Sequence, residues 1–98
     1  MLIDKFLVYL QLEKNYSINT VSAYKRDLTQ YNKFILKNSN VLEIEKVNYK
    51  IIRSWIVSMV NDNISNRSIN RKISALKSFY NFLIKTETIT SSPLKVHT

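Results

Sequence analysis

The sequence predicts an all-α fold, a compact bundle of four main helices around one apolar core. Apolar residues recur at steps of three and four in four separate stretches. Strand-like alternation of period two is missing. Short Asn-rich breaks separate the stretches, and the chain carries no Gly and a single Pro, near its end.

The first helix is expected from about Leu2 to Glu13, with Ile3, Phe6, Leu7 and Leu10 on one face. Asn15, Tyr16 and Ser17 break it, and Asn15 suits the left-handed position that Gly usually fills after a helix. The second starts from a cap at Ser17 or Asn19 and runs to about Lys37; Val21, Tyr24, Leu28, Tyr31 and Ile35 form its stripe. Asn38-Ser39-Asn40 ends it, and Val41 to Val47 reads as a connection anchored by Leu42 and Ile44.

Asn48 is the expected N-cap of the third helix, whose apolar face is Ile52, Trp55, Ile56, Met59 and Val60. Asn61-Asp62-Asn63 closes it. The fourth begins at Ser65 or Asn66 and presents Ile69, Ile73, Leu76, Tyr80 and Leu83, widened by Phe79 and Phe82. It should be the most buried of the four. Ser92-Pro93 cannot extend a helix and marks an exit from the domain.

Composition narrows the function. A 98-residue chain with 45% hydrophobic residues supports one folded domain. Without Gly it has no phosphate-cradling loop, dinucleotide fingerprint or nucleophile elbow of the usual kinds. Without Cys it has no thiol catalysis, disulfide or thiolate zinc site. The apolar run Phe6–Leu10 is far too short to span a membrane, and Asp4 argues against a secretory signal. The expectation is a soluble, cytoplasmic domain without cofactor or metal. His97 reads as a tail residue, Glu43 and Glu45 as solvated surface, and Trp55 with most of the Tyr and Phe residues as core. Tyr9 and Tyr16 lie on mixed faces.

The formal net charge is +8, and it is unevenly placed. Residues 1–16 and 38–64 are each neutral, residues 17–37 carry +3, and residues 65–98 carry +5. Helical projection puts Asn19, Ser22, Arg26, Lys33 and Lys37 on the outward face of the second helix, with Gln30 alongside. On the fourth it aligns Arg67, Arg71, Ser74, Ser78, Asn81 and Lys85, flanked by Asn70 and Lys77. Cations neutralise phosphates, and short polar side chains allow close approach to base edges. Backbone N–H groups at Ser17–Thr20 and Ser65–Ser68 add phosphate donors. The same faces also fit ordinary solvated surface, so charge and periodicity alone leave nucleic-acid binding and a bland basic surface both open.

Two stretches carry a family resemblance. Ser17-Ile18-Asn19-Thr20-Val21-Ser22-Ala23-Tyr24-Lys25-Arg26-Asp27-Leu28 resembles the S-x-N-T-hydrophobic-x-x-Y-x-R-D-L run in the amino-terminal domain of tyrosine recombinases. The run from Ser65 through Arg67, Ser68, Arg71, Lys72, Ser74 and Lys77 to Leu83 is similar to that family's S-x-R-T-I-x-R-x-L-S-A-L-R-x-F-Y-x-F-L. Ser68 stands for the commoner Thr, Ser92-Pro93 for Asn-Pro, and Asn15 where Gly often precedes the second helix.

The resemblance, to the Xer-like and phage-integrase kind, implies a SAM-like core-binding domain over residues 1–94. Residues 95–98 would begin a linker to a catalytic domain beyond this chain. It implies that the second and fourth helices face the major groove of duplex DNA, and that neighbouring recombinase protomers are further partners. Carried over, the DNA contacts are Asn19, Thr20, Lys25 and Arg26 on the second helix. On the fourth they are Arg67, Ser68, Arg71, Lys72, Ser74 and Lys77. Lys72 falls beside the apolar face and is expected to snorkel to a phosphate. The family's catalytic residues belong to its other domain, so none of the six Tyr residues here is expected to be a nucleophile. The expected role is sequence-directed positioning of a protomer on a recombination half-site. The alternatives are a non-catalytic helical DNA-binding regulator and a helical protein-interaction module.

Overall fold

Four helices fill the computed structural model, which describes residues 2–41 and 43–95: α1 (Leu2–Leu12), α2 (Ile18–Asn38), α3 (Tyr49–Asn61) and α4 (Asn66–Lys85). No strand occurs among the described residues. A 3₁₀ turn, Ile44–Lys46, lies between α2 and α3.

The starts of α2, α3 and α4 follow one rule. Ser17, Asn48 and Ser65 each hold an extended backbone and accept, through the side-chain oxygen, the N–H three residues on. Helices α1, α3 and α4 end at a left-handed residue in a chain without glycine, and Asn15 (φ 54°), Asn63 (φ 61°) and Glu87 (φ 61°) take those positions, whereas α2 ends at an extended Ser39. At α3 the Ile64 N–H reaches back to the Met59 carbonyl (3.0 Å), and at α4 the Thr88 N–H reaches the Leu83 carbonyl (2.9 Å). These bonds stop each helix and satisfy its last carbonyls.

Helix α4 is the spine and packs on all three others. It buries Ile69, Lys72, Ile73, Ala75, Leu76, Phe79, Tyr80 and Leu83, more than any other helix. Helix α1 contributes Ile3, Phe6 and Leu10; α2 contributes Leu28, Tyr31 and Ile35; α3 contributes Ile52, Trp55 and Met59. Aromatic edges tie the helices together. Phe6 meets Phe79 on α4 at 5.5 Å and Tyr24 on α2 at 5.8 Å, both nearly perpendicular, while Tyr31 meets Trp55 on α3 at 5.0 Å.

Three details depart from simple periodicity. Val60, on the expected face of α3, is exposed, because it lies about 105° from the centre of the Ile52–Trp55–Met59 stripe in the last turn. Val21 and Tyr24 are only half-buried. Beyond Ser92-Pro93 the chain turns back, and Leu94 joins the core. Ile44 and Val47 anchor the connection after α2; Leu42 lies outside the described residues, as do His97 and most of the expected linker.

The Ile44 anchor is held by a buried phenol pair. Tyr80 on α4 donates to the Ile44 carbonyl at 2.8 Å, and the Tyr31 hydroxyl lies 2.8 Å from that of Tyr80. With the Tyr80 proton committed to the carbonyl, Tyr31 is the donor within the pair. Burial pushes both phenols well above the ordinary tyrosine value.

Candidate nucleic-acid interface

Helices α2 and α4 lie against each other, so the two charge-bearing segments form adjacent surfaces of one body. A groove of about 360 Å³ runs between them, lined by Asn19, Thr20, Ala23, Tyr24 and Asp27 from α2 and Arg71, Ser74 and Ala75 from α4. Of the expected contact residues, the fold brings Asn19, Thr20, Arg71 and Ser74 to this groove. Lys25, Arg26, Arg67 and Lys77 are exposed on the same two helices but do not line it.

The capping hydroxyls shape both amino-terminal turns alike. Ser17 Oγ accepts the Thr20 N–H at 3.2 Å and lies 3.0 Å from Thr20 Oγ1. Ser65 Oγ accepts the Ser68 N–H at 3.2 Å and donates to Ser68 Oγ at 3.1 Å. Thr20 and Ser68 are therefore engaged in the caps, and Ser68 is half-buried.

Asp27 organises the centre of the face. It is 2% exposed, yet three cations surround it. Arg71 donates Nε to Oδ2 and Nη2 to Oδ1, both at 3.2 Å. Lys72 donates Nζ to Oδ1 at 3.0 Å, and Arg26 Nε stands 3.8 Å from Oδ1. Lys72 is itself buried, and its second acceptor is Gln30 Oε1 at 2.6 Å. Its ammonium points into the α2–α4 contact, along the wall of a second cavity shared with Lys33 and Lys37. Among the described residues, no buried side-chain polar atom lacks a partner.

Asp27 stands in the run that carries the family resemblance but is given no role from the sequence. A signal was available in its phase. Asp27 sits three residues after Tyr24 and four before Tyr31, and Lys72 sits three after Ile69 and four before Leu76. An acid and a base at core phase on neighbouring helices must pair, since a lone buried charge is costly.

Ser78 and Asn81, from the same projected line, lie farther along α4 in a smaller cavity with Tyr9, Lys14, Tyr16 and Lys85. There the Lys85 ammonium stands 5.0 Å above the Tyr9 ring. No group of three or more His, Cys, Asp or Glu suited to a metal occurs among the described residues, and no described helix is long and apolar enough to cross a membrane.

The fold and its basic two-helix face define a small all-helical module. Residues 3–87 match the family described as "Phage integrase, N-terminal SAM-like domain". The chain belongs to that family. It is 41% identical to "Tyrosine recombinase XerC" of Oceanobacillus iheyensis, over 93% of this chain and 30% of that protein. It is 34% identical to the protein of the same name from Anoxybacillus flavithermus, over 93% of this chain and 30% of that one. The Rickettsia felis protein of that name is 40% identical, over 92% of this chain and 31% of its own length. The chain thus spans about three-tenths of the length of these relatives. No solved structure matches it.

Proposed function

We propose that this domain binds duplex DNA and positions a recombinase protomer on a recombination half-site. One observation carries the reading. The two segments that hold all of the +8 charge become α2 and α4, packed side by side, with a groove between them where Asn19, Thr20, Arg71 and Ser74 stand among Ala23, Tyr24 and Ala75. Membership of the integrase amino-terminal family and the likeness to tyrosine recombinases support the same role. The exposed cations Lys25, Arg26, Arg67 and Lys77 are assigned to phosphates, and Asn19, Thr20, Arg71 and Ser74 to the groove-facing centre. Ser68 acts through the α4 cap, and Lys72 acts by holding Asp27 rather than by touching DNA. Bond cleavage is assigned to a separate catalytic domain, and neighbouring protomers are further partners.

Affinity from such a face is largely electrostatic, with a non-specific Kd on the order of 10⁻⁴–10⁻⁶ M at physiological salt. Joined to a second DNA-binding domain, the same contacts become intramolecular and tighten the complex. The test is titration of the chain with duplex DNA, followed by amide shifts and by anisotropy across a salt series. Shifts concentrated on α2 and α4 are expected. Arg67→Ala should weaken binding on all duplexes and lower the salt slope by about 0.9. Shifts confined to α1 and α3, or equal binding to an acidic polypeptide of matched charge, would defeat the proposal in favour of a protein-interaction module.

A further inference from the structure

Arg71 is the one cation of the α2–α4 groove that has been fixed in place. A guanidinium carries five N–H donors in a planar fork. Asp27 takes the Nε edge, through Nε–Oδ2 and Nη2–Oδ1 bonds of 3.2 Å each. Both Nη1 hydrogens and the second Nη2 hydrogen have no partner among the described residues, and the side chain is 48% exposed. That leaves one complete edge of the fork, two parallel donors in a known plane, turned away from the carboxylate.

We propose that Arg71 reads a guanine base in the major groove, donating from its Nη1 and Nη2 edge to O6 and N7, and that Asp27 is the positioning residue that holds it for this. The inference rests on the duplex-binding role proposed above and names a base-reading residue within it. Three features favour a base over a phosphate. A planar pair of acceptors on a base edge rewards a fork that is already held in one plane. Apart from Tyr24 and Asp27, the residues lining the groove beside Arg71 are short, Asn19, Thr20, Ala23, Ser74 and Ala75, so a base edge can come close. Lys25, Arg26, Arg67 and Lys77 are exposed and lack the paired two-bond restraint, which suits them to phosphates.

Immobilisation is the physical point. An unrestrained Arg loses side-chain entropy when it adopts one geometry, and it serves phosphates at many positions. Asp27 is itself anchored by buried Lys72, whose Nζ donates at 3.0 Å to the Oδ1 that Arg71 Nη2 also uses, so the restraint on Arg71 traces back to the core.

The experiment is sequencing of duplexes retained by the 98-residue chain from a randomised pool, repeated with Arg71→Lys and Asp27→Asn. Retained duplexes should share a guanine at one position, preferred about 5- to 150-fold, the range of a good bidentate base contact. Arg71→Lys should abolish that preference. Asp27→Asn raises the net charge by one, so a purely electrostatic role predicts tighter binding with the same preference, and a positioning role predicts that the preference falls. Circular dichroism checks that each variant is folded. If Asp27→Asn does not fold, the Arg71 Nε–H resonance of the unaltered chain decides: it should be protected from exchange both free and bound to the selected duplex. Loss of protection on binding would overturn the role of Asp27.

An unchanged preference in Arg71→Lys would overturn the assignment. So would a uniform loss across all sequences with a reduced salt slope, which marks a phosphate contact. Duplex binding without any guanine preference overturns this inference alone, while failure to bind duplex at all removes the proposed function along with it.

Discussion

The Asp27 carboxylate on α2 and the Lys72 ammonium on α4 meet at 3.0 Å, both almost wholly withdrawn from water. They lie 45 residues apart in the chain. Neither group could be buried alone, because the desolvation of an unpaired ion outweighs ordinary packing gains. Together with Arg71 and Gln30, which reach out to solvent, they form a polar cluster across the α2–α4 seam and set how the two charged helices sit beside each other.

Breaking this cluster from either side should have unequal cost. Asp27→Ala strands Lys72 with Gln30 as its remaining partner and should destabilise the fold by about 3–5 kcal/mol. Lys72→Met leaves Asp27 two bonds from Arg71 and should cost less, about 1–3 kcal/mol. The double variant Asp27→Leu/Lys72→Met should recover much of the loss, since no buried charge is left unpaired. Urea unfolding of the three variants measures this, and an Asp27→Ala cost below 1 kcal/mol would sink the account.

The phenol pair predicts a second asymmetry. Tyr80→Phe orphans both the Ile44 carbonyl and the Tyr31 hydroxyl, whereas Tyr31→Phe leaves the Tyr80–Ile44 bond intact. A buried polar group without a partner costs about 1–3 kcal/mol, so Tyr80→Phe should be the more damaging by at least 1 kcal/mol. Equal losses in chemical denaturation would show that the bonds are not arranged in this order.

Alkaline pH should destabilise the domain through the same residues. Burial raises both phenol pKa values in the fold, while in the unfolded chain they ionise near pH 10. Above that pH the unfolded state holds fewer protons than the native one, so unfolding becomes easier as pH rises. Their contribution is complete below pH 10 and declines above it by about 1.4 kcal/mol per pH unit for each phenol. The Tyr31→Phe/Tyr80→Phe variant, although weaker at neutral pH, should show a shallower loss of stability between pH 10 and 11. An identical slope in the two proteins would refute this linkage.

Glu87 offers a stabilising change. It holds φ 61° just past α4, where a side chain clashes with the backbone and a carboxylate opposes the negative helix end. Glu87→Gly should stabilise the domain by about 0.5–1 kcal/mol, after the added freedom of Gly in the unfolded chain is subtracted. Asn63→Gly, at φ 61°, should yield less, because Asn tolerates this conformation better. Thermal melts of the two variants test the ranking; a larger gain from Asn63→Gly would reverse it.

Most of the fold is legible in the linear sequence. The Ser17, Asn48 and Ser65 caps, the left-handed Asn15 and the dominant burial of α4 all follow from local chemistry and from a 3.6-residue period. Val60, assigned to the apolar face of α3, is exposed because its phase sets it on the flank of the Ile52–Trp55–Met59 stripe. The basic face is legible only as two separate lines of residues. Nothing in the order of residues tells Arg71, pinned by a carboxylate, from Arg67, which is free to extend.

By itself, then, the sequence determined the helices, their caps, the placement of all net charge on α2 and α4, and the family to which the chain belongs. Those are properties of neighbours in the chain, set by backbone hydrogen bonds and side-chain periodicity. The phase of Asp27 and Lys72 already marks both as inward, but only the tertiary structure decided that they bond to each other, that Arg71 is held on one edge and open on the other, and that Tyr80 reaches Ile44. Such pairings join residues 36 to 45 positions apart. They depend on which helix faces pack together, and a buried charge or hydroxyl finds its partner only once packing has excluded water.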